Sequence, residues 1–227
     1  MNAPDSNAPP PSAARDRQWF ILSRWQEYEA EARANLLRII GIGAFYAIEM
    51  INHGVQLGPL QLPPVVSDRF HQSITGLAVA WTMLALATHL CLRRRFFPPA
   101  LKFVTTACDL VLLTAVLMVA DGPRSPLAVV YFLILALAAL RLSVPLVWLA
   151  TVGAMGSYLF LLGYVKYFVD PERAATMAVP RYYQLIMFAA LAITGITLGQ
   201  LIRRVRTLAE EFARRVAERE PSDRVAN

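Results

Sequence analysis

Three side chains that can bind metals or polar ligands stand near the end of the first apolar segment. Glu49 and His53 are four residues apart, which places them on one face of a helix. His71 opens the next apolar segment on the same side of the predicted membrane. One carboxylate and two imidazoles suit a divalent transition metal or the head group of a quinone. A polar cluster wetted by interfacial water is the third interpretation, and the sequence leaves all three open.

The spacing of the histidines argues against haem. His71 and His89 would stand about 27 Å apart along one helix at its usual rise, which places them at opposite faces of a membrane. They cannot ligate one iron. The chain has three histidines, so His53 with His71 is the only remaining pair, and we expect no haem.

Asp109 is the acidic residue placed deepest in the apolar sequence. It lies near the middle of a segment that also contains Thr105, Thr106 and Thr114. An ionisable side chain at this depth is costly, and it is therefore a candidate functional group. It is either a hydrogen-bonded residue that holds helices together, or a proton acceptor or polar anchor for a ligand head group.

A tight turn follows this segment, with the sequence DGPRSP beginning at Asp121. Gly122 permits unusual backbone angles, and the two prolines, the second being Pro126, restrict others. We expect Arg124 to pair with Asp121 at the surface and Ser125 to cap the next helix. The turn is either a rigid hairpin alone or the part that completes a ligand pocket on the side of the outer cluster.

The elements that must position these residues are membrane helices. Hydrophobic residues make up 56% of the chain, charged residues make up 17%, and the mean hydropathy is +0.45, which is unusual for a soluble domain. The two cysteines lie in apolar stretches and fit neither a disulfide framework nor a metal motif. The net charge of +6 comes from short basic clusters beside apolar segments. We therefore expect a lipid bilayer as partner and no nucleic acid.

Six apolar segments have the length of membrane-spanning helices, close to the roughly 20 residues that cross about 30 Å of hydrocarbon. They lie near 35–54, 72–92, 100–120, 126–142, 144–166 and 182–203. The sequence therefore predicts an all-α membrane protein, with a six-transmembrane-helix bundle over residues 35–203.

Two different segments precede this bundle. Residues 1–15 are rich in Pro, Ala, Asn and Ser and are predicted to be a disordered tail. Residues 16–34 interleave aromatic and charged side chains, which predicts an amphipathic interfacial helix in the headgroup layer. A soluble contact with a partner protein would have the same pattern.

The basic residues predict the orientation. With the N-terminus inside, all but five of the 22 Lys and Arg residues fall on the cytoplasmic side. This positive-inside bias agrees with an even number of helices. We expect a multi-pass protein of the bacterial inner (cytoplasmic) membrane with both termini in the cytoplasm. The five exceptions are Arg69, Arg124, Lys166, Arg173 and Arg181.

The last segment is expected to continue as a helix beyond the membrane. Neither Gly nor Pro occurs between Gln200 and Pro221, so residues 204–220 are predicted to be a coiled-coil-like exit helix and 221–227 a tail. Apolar residues at alternating spacings of three and four predict a homodimer, and a basic helix that only holds lipid is the alternative. The dimer seam consists of Leu201, Val205, Leu208 and Phe212.

One part of the chain resembles a known family: residues 108–142, CDLVLLTAVLMVADGPRSPLAVVYFLILALAALRL. This stretch is similar to the membrane domain of six-helix sensor histidine kinases, in particular the redox-responsive RegB type. In that family an Asp early in helix three precedes a Gly-Gly-x-x-Asn-Pro-Phe loop, and helix four follows at once. The resemblance implies a loop that helps to bind ubiquinone and a response to the redox state of the quinone pool.

The match is carried by three residues. Asp109 corresponds to the acid of helix three, and Gly122 and Pro126 correspond to the second Gly and the Pro of the loop. The positions of the first Gly, the Asn and the Phe are occupied here by Asp121, Ser125 and Leu127.

These observations favour a sensory or regulatory membrane module. We expect it to relay a membrane or periplasmic signal, either quinone redox state or a metal, to a separate cytoplasmic kinase, cyclase or other effector. We expect no enzyme, because the phosphoacceptor His, the ATP-binding lobe and a cyclase domain are absent from the sequence. A structural accessory subunit of a membrane complex is the main alternative. A small transporter is disfavoured, since the two halves show no repeat.

Overall fold

A computed structural model describes most of the chain. The backbone is described for residues 11–52, 56–57, 60–61, 68–94, 98 and 100–225, and side chains are described within 28–48, 50–51, 70–94, 98 and 100–215. The described backbone consists of helices, short connecting turns and one two-residue antiparallel strand pair, β1 (Gln56–Leu57) with β2 (Leu60–Gln61).

Seven α-helices occur in the described chain. They are α1 (Pro11–Asn52), α2 (Asp68–Arg93), α3 (Leu101–Val119), α4 (Val130–Leu140), α5 (Val144–Phe168), α6 (Pro171–Met177) and α7 (Arg181–Val225). Two 3-10 helical turns, Gly122–Arg124 and Pro126–Val129, connect α3 to α4.

Four helices in the described chain are long and apolar enough to span a membrane. These spans are Phe70–Arg93, Leu101–Val119, Val144–Phe168 and Arg181–Arg215. The segment Pro126–Leu140 is apolar but shorter, because the preceding turn and Arg141 limit its length. The predicted all-helical class is confirmed and four helices could cross a membrane, whereas the number of six crossings stays a prediction.

Two of the predicted boundaries fall inside continuous helices. Helix α1 joins the predicted interfacial helix to the first apolar segment, and its start at Pro11 makes residues 11–15 helical rather than a disordered tail. Proline is compatible with the first position of a helix, and no Gly or Pro occurs between Pro11 and Gly41. Helix α7 likewise includes the exit helix and continues past Pro221 to Val225. Residues 1–10 and 226–227 lie outside the described residues.

The apolar core lies where α3, α4, α5 and α7 meet. Helix α5 packs against α3, α4 and α7, while α1 packs against α2 and α4. The largest fully buried apolar side chains are Leu113, Leu117, Tyr131, Leu135, Leu146, Leu161 and Leu191. Large apolar side chains such as Val111, Val152 and Ile193 are exposed on the outside of the bundle, as expected of a surface that contacts hydrocarbon.

The connections between the helices gather at two ends of the bundle. At the exit end (residues 141–143 and 203–215), Arg206 of α7 donates a hydrogen bond to the carbonyl of Leu142. At the turn end (residues 120–126 and 169–180), Arg124 donates to the carbonyl of Thr176 at 3.0 Å. The turn between α3 and α4 therefore lies beside α6, far from the exit of α7.

Gly195 allows α5 and α7 to approach closely. A Cβ atom at this position would collide with the side chain of Thr151, whose hydroxyl donates to the carbonyl of Val147 at 2.7 Å. Small residues at helix crossings are common in membrane proteins, where close backbone approach replaces hydrophobic association. Gly199, one turn further along α7, has no neighbour within 4 Å of the corresponding point.

We expect Gly195→Ala to lower the free energy of unfolding by about 1–3 kcal/mol, because the added methyl group forces α5 and α7 apart. Thermal or denaturant unfolding in detergent micelles measures this change. Gly199→Ala is the matched control and should leave stability unchanged or slightly raised. Equal destabilisation by both variants would contradict the close approach at Gly195.

Candidate functional site

A buried ion pair joins α1 to α3. The guanidinium of Arg38 donates from Nε to Asp109 Oδ1 at 2.8 Å and from Nη2 to Asp109 Oδ2 at 2.6 Å. This bidentate geometry is that of a strong arginine–carboxylate pair. The two side chains are 3% and 5% exposed. Trp81 adds α2 to the contact, because its indole N–H donates to Asp109 Oδ1 at 2.8 Å.

Asn35 extends this contact along α1. Its amide oxygen accepts from Arg38 Nη1 at 2.8 Å, and its amide nitrogen donates to the carbonyl of Ala85 at 3.1 Å. A guanidinium carries five N–H donors. Within the described part of the chain, three of those of Arg38 are used, so two stay available to another acceptor.

A second buried ion pair lies near the exit end. Arg141, just after α4, donates from Nη2 to Glu31 Oε1 of α1 at 2.7 Å. It also donates to the hydroxyls of Thr105 and Thr106 on α3, at 3.3 Å and 2.6 Å. Burial raises the pKa of Glu31 above its ordinary value, and the nearby Arg141 guanidinium opposes that rise. Two buried atoms, Glu31 Oε2 and Arg141 Nε, have no hydrogen-bond partner among the described residues.

One face of α1 therefore carries the polar contacts to the rest of the bundle. Glu31, Asn35 and Arg38 follow each other at helical spacing, and all three are buried. Glu31 is 1% exposed and packs inside the protein, so the end of the predicted interfacial helix contacts the bundle, and its place in the headgroup layer stays a prediction.

The first ion pair, Arg38 with Asp109, was not predicted, although the sequence contains a signal for it. An arginine within an apolar segment needs a counter-ion at the same depth, and Arg38 lies within the first such segment. Asp109 was the acidic residue placed deepest in the sequence, so the two could have been paired. Glu31 and Arg141 gave no comparable signal, because each stands at the edge of a segment where water is usually available.

A cavity of about 810 Å³ opens beside the first ion pair, between α1, α2, α3 and α4. We call it the Asp109 cavity. Arg38, Trp81 and Asp109 form one polar part of its wall, and Asp121 and Ser125 form another near the turn end. Its apolar lining includes Ile42, Phe45, Phe70, Ile74, Leu113 and Leu133. An apolar cavity with a few convergent polar groups is typical of a small-molecule site.

The predicted site residues in the turn between α3 and α4 line two different cavities. Pro126 lines the Asp109 cavity together with Asp121, whereas Arg124 lines a different cavity. The described residues show no ion pair between Asp121 and Arg124, and Arg124 instead binds the carbonyl of Thr176. The expected pairing of Asp121 with Arg124 is therefore wrong, because the two side chains lie beside different cavities.

Gly122 and Ser125 shape this turn. Gly122 has a φ of +61°, a backbone conformation that glycine adopts without strain. A Cβ atom there would also lie 3.2 Å from Val165 of α5. The Ser125 hydroxyl accepts from the backbone N–H of Leu127 at 3.3 Å and caps the second 3-10 turn, as the sequence predicted.

The predicted outer cluster is described only in part. His53 lies outside the described residues, and so does the side chain of Glu49, although its backbone belongs to α1. His71 stacks on Tyr46 with the ring centroids 6.5 Å apart, and Tyr46 lines the Asp109 cavity. Among the described side chains, no group of three or more metal-binding residues could hold an ion. The metal site stays a prediction.

The predicted dimer seam lies on an open face of α7. Its four side chains, which begin at Leu201 and end at Phe212, are between 41% and 71% exposed in the single chain. The part of α7 that carries them lies at the exit end, next to the contact of Arg206 with Leu142. This face is accessible to a partner helix.

No protein-family model, no characterised protein and no solved structure matches this chain. The similarity of residues 108–142 to the membrane domain of redox-sensing kinases therefore stays a resemblance.

We expect Asp109→Asn to lower the free energy of unfolding by about 3–5 kcal/mol, because it leaves the buried Arg38 without a counter-ion. Unfolding in detergent micelles measures the loss. The double variant Arg38→Met with Asp109→Leu removes both charges and should recover most of it. A double variant as unstable as Asp109→Asn would show that the charge pairing is not the cause.

Proposed function

We propose that the protein is a sensory or regulatory membrane module. In this proposal the Asp109 cavity binds a hydrophobic ligand that has a polar head group, and α7 relays the bound state to a separate cytoplasmic partner. The observation that carries the proposal is a deep polar contact, Asp109 with Arg38 and Trp81, that opens onto an apolar cavity.

A quinone is the ligand class that these residues fit best. Its ring carbonyls need hydrogen-bond donors, and the two uncommitted N–H groups of Arg38 can supply them. Its isoprenoid tail needs apolar walls, and the side chains around Phe45 and Leu133 provide them. The volume of about 810 Å³ lies within the usual range of ligand pockets, about 300–1,000 Å³.

The turn supports the same proposal from an independent direction. Asp121, Ser125 and Pro126 line the Asp109 cavity at positions of the loop that the resemblance associates with ubiquinone, and Pro126 is the residue of these three that matches the family. Asp109 occupies the position of the acid in helix three and lines the same cavity.

Continuous contacts connect the Asp109 cavity to the exit end. Arg38 shares one face of α1 with Glu31, which binds Arg141. The residue after Arg141 is Leu142, whose carbonyl accepts from Arg206 of α7. A ligand that accepts hydrogen bonds from Arg38 would shift α1, and the shift would reach α7 through these contacts.

The membrane setting belongs to the proposal as well. We infer six crossings, with α1 and the segment Pro126–Leu140 added to the four spans of sufficient length. In the bacterial inner membrane, the positive-inside rule then places the exit end and both termini in the cytoplasm.

A structural accessory subunit is the second candidate function. It is favoured by the pairing of both buried charges, because Arg38 with Asp109 and Arg141 with Glu31 each have a counter-ion inside the protein without any ligand. In that case a helix or lipid of a larger complex would fill the Asp109 cavity.

Quinone binding separates the two functions. We expect the purified protein to bind a short-chain ubiquinone, and Leu133→Trp to weaken binding at least tenfold by filling the Asp109 cavity. Trp81→Phe should weaken it about five- to tenfold, since Asp109 loses a hydrogen bond that fixes the polar wall. Isothermal titration in detergent measures both. Val152→Trp, on an exposed face of α5, is the control. If the protein binds no quinone, or if Leu133→Trp and Val152→Trp weaken binding equally, the accessory subunit is favoured.

Dimerisation through α7 is tested by disulfide crosslinking in a cysteine-free background. Val205→Cys and Leu208→Cys lie on the seam and should crosslink in membranes several times faster than Thr207→Cys and Glu210→Cys, which lie off it. Non-reducing gel electrophoresis measures the rates. Similar rates at all four positions would mean that α7 does not pair through this face.

A further inference from the structure

A second cavity lies on the opposite side of the turn from the Asp109 cavity. It has a volume of about 590 Å³ and lies between α5, the start of α7 and the turn. We call it the turn-end cavity. Its polar lining consists of Arg124, Tyr158 and Tyr183, and the remaining lining is apolar. The apolar residues are Pro123, Ala128, Ala178, Val179, Pro180 and Met187.

Arg124 gives this cavity a cation with free donors. Its Nη1 donates to the carbonyl of Thr176 at 3.0 Å, which uses one of the five N–H groups of a guanidinium. The other four have no acceptor among the described residues. The acidic residues Asp170 and Glu172 lie at the same end of the bundle, but neither lines the cavity.

Helix α7 adds further donors. It begins at Arg181, directly after Val179 and Pro180, which line the cavity. The first N–H groups of a helix have no acceptor within the helix, and this end carries a partial positive charge. Anions therefore bind readily at such a position.

The side chain of Tyr158 independently indicates a ligand. This residue is 2% exposed, and its ring packs edge-on against Phe188 with the centroids 5.5 Å apart. Its hydroxyl makes no hydrogen bond to any residue in the described part of the chain, although Tyr158 lines the cavity. Because Tyr158 lines the cavity and its hydroxyl is a hydrogen-bond donor, an oxygen atom of a bound molecule can accept from it.

Aromatic residues place the cavity at the level of the lipid headgroups. Tyr167 and Phe168 at the end of α5, and Tyr182 and Tyr183 at the start of α7, are all exposed. The rings of Tyr182 and Tyr183 stack with their centroids 4.4 Å apart. Exposed aromatic side chains at the ends of apolar helices mark the interface between membrane and water.

We propose that the turn-end cavity binds the headgroup of an anionic phospholipid. The phosphate accepts hydrogen bonds from Arg124 and the first N–H groups of α7, and the hydroxyl of Tyr158 donates to a phosphate or ester oxygen. The acyl chains lie on the exposed apolar surface of α5 and α7, which includes Phe160, Leu185 and Ile186. The mostly apolar lining favours a lipid over free phosphate, which would need polar contacts on all sides.

The proposal is tested on the delipidated full-length protein in a neutral detergent. The probes are phosphatidylglycerol, phosphatidylcholine and inorganic phosphate, and the readouts are native mass spectrometry for bound lipid and the shift in unfolding temperature. We expect phosphatidylglycerol to bind at least ten times more tightly than phosphatidylcholine, and inorganic phosphate to give no protection.

Substitutions assign the binding to this cavity. Arg124→Gln should weaken the binding of phosphatidylglycerol about tenfold or more, as expected for a hydrogen bond to a charged group, and Arg124→Lys should retain most of it. Tyr158→Phe should weaken it about three- to tenfold. Arg173→Gln removes an exposed cation of α6 that does not line the cavity and is the control for total charge.

Four results would overturn the proposal, the last of them replacing the third if Arg124→Gln does not fold. Equal binding of the two lipids would exclude recognition of an anionic headgroup. Full protection by inorganic phosphate would make the site one for a free anion. If Arg173→Gln weakens the binding of phosphatidylglycerol as much as Arg124→Gln does, the effect comes from the net charge of the protein and not from this cavity. If Arg124→Gln does not fold, unchanged binding by Tyr158→Phe would overturn the proposal in the same way.

Discussion

A cation and a carboxylate inside an apolar bundle are tolerated only as a pair, because each alone would be a buried charge without compensation. Arg38 and Asp109 must therefore meet, and this requirement fixes the rotation of α1 relative to α3. Trp81 extends the same constraint to α2. The Asp109 cavity lies directly beside this contact, between α1, α2, α3 and α4.

The bundle thus combines two kinds of helix contact. On one side α5 packs closely against α7, and the missing side chain of Gly195 makes that approach possible. On the other side α1 is held by the polar face that carries Glu31, Asn35 and Arg38. Close packing resists displacement, whereas a hydrogen bond can be exchanged for one to a ligand. A conformational response is therefore expected in α1 rather than in the core around α5.

The turn between α3 and α4 separates two cavities with different linings. Gly122, with its positive φ, lies between Asp121, which lines the Asp109 cavity, and Arg124, which lines the turn-end cavity. The first cavity offers hydrogen bonds from a charge-neutral ion pair and suits an uncharged polar head. The second offers the guanidinium of Arg124, which has no carboxylate partner among the described residues, and a helix N-terminus, and it suits an anion. A ligand in either cavity contacts the same short turn, so the occupancy of one site can alter the geometry of the other.

The sequence by itself determined the helical membrane class, the depth of Asp109, the turn at residues 121–126 and the cap by Ser125. These features depend on composition and on spacings of a few residues, which local physics fixes. Only the tertiary structure decided which charges pair, because the partners lie 71 residues apart for Arg38 and Asp109 and 110 apart for Glu31 and Arg141. It also decided that Asp121 and Arg124 line different cavities. Such contacts depend on how each helix is rotated about its axis, and that rotation is set by the packing of the whole bundle rather than by any local pattern.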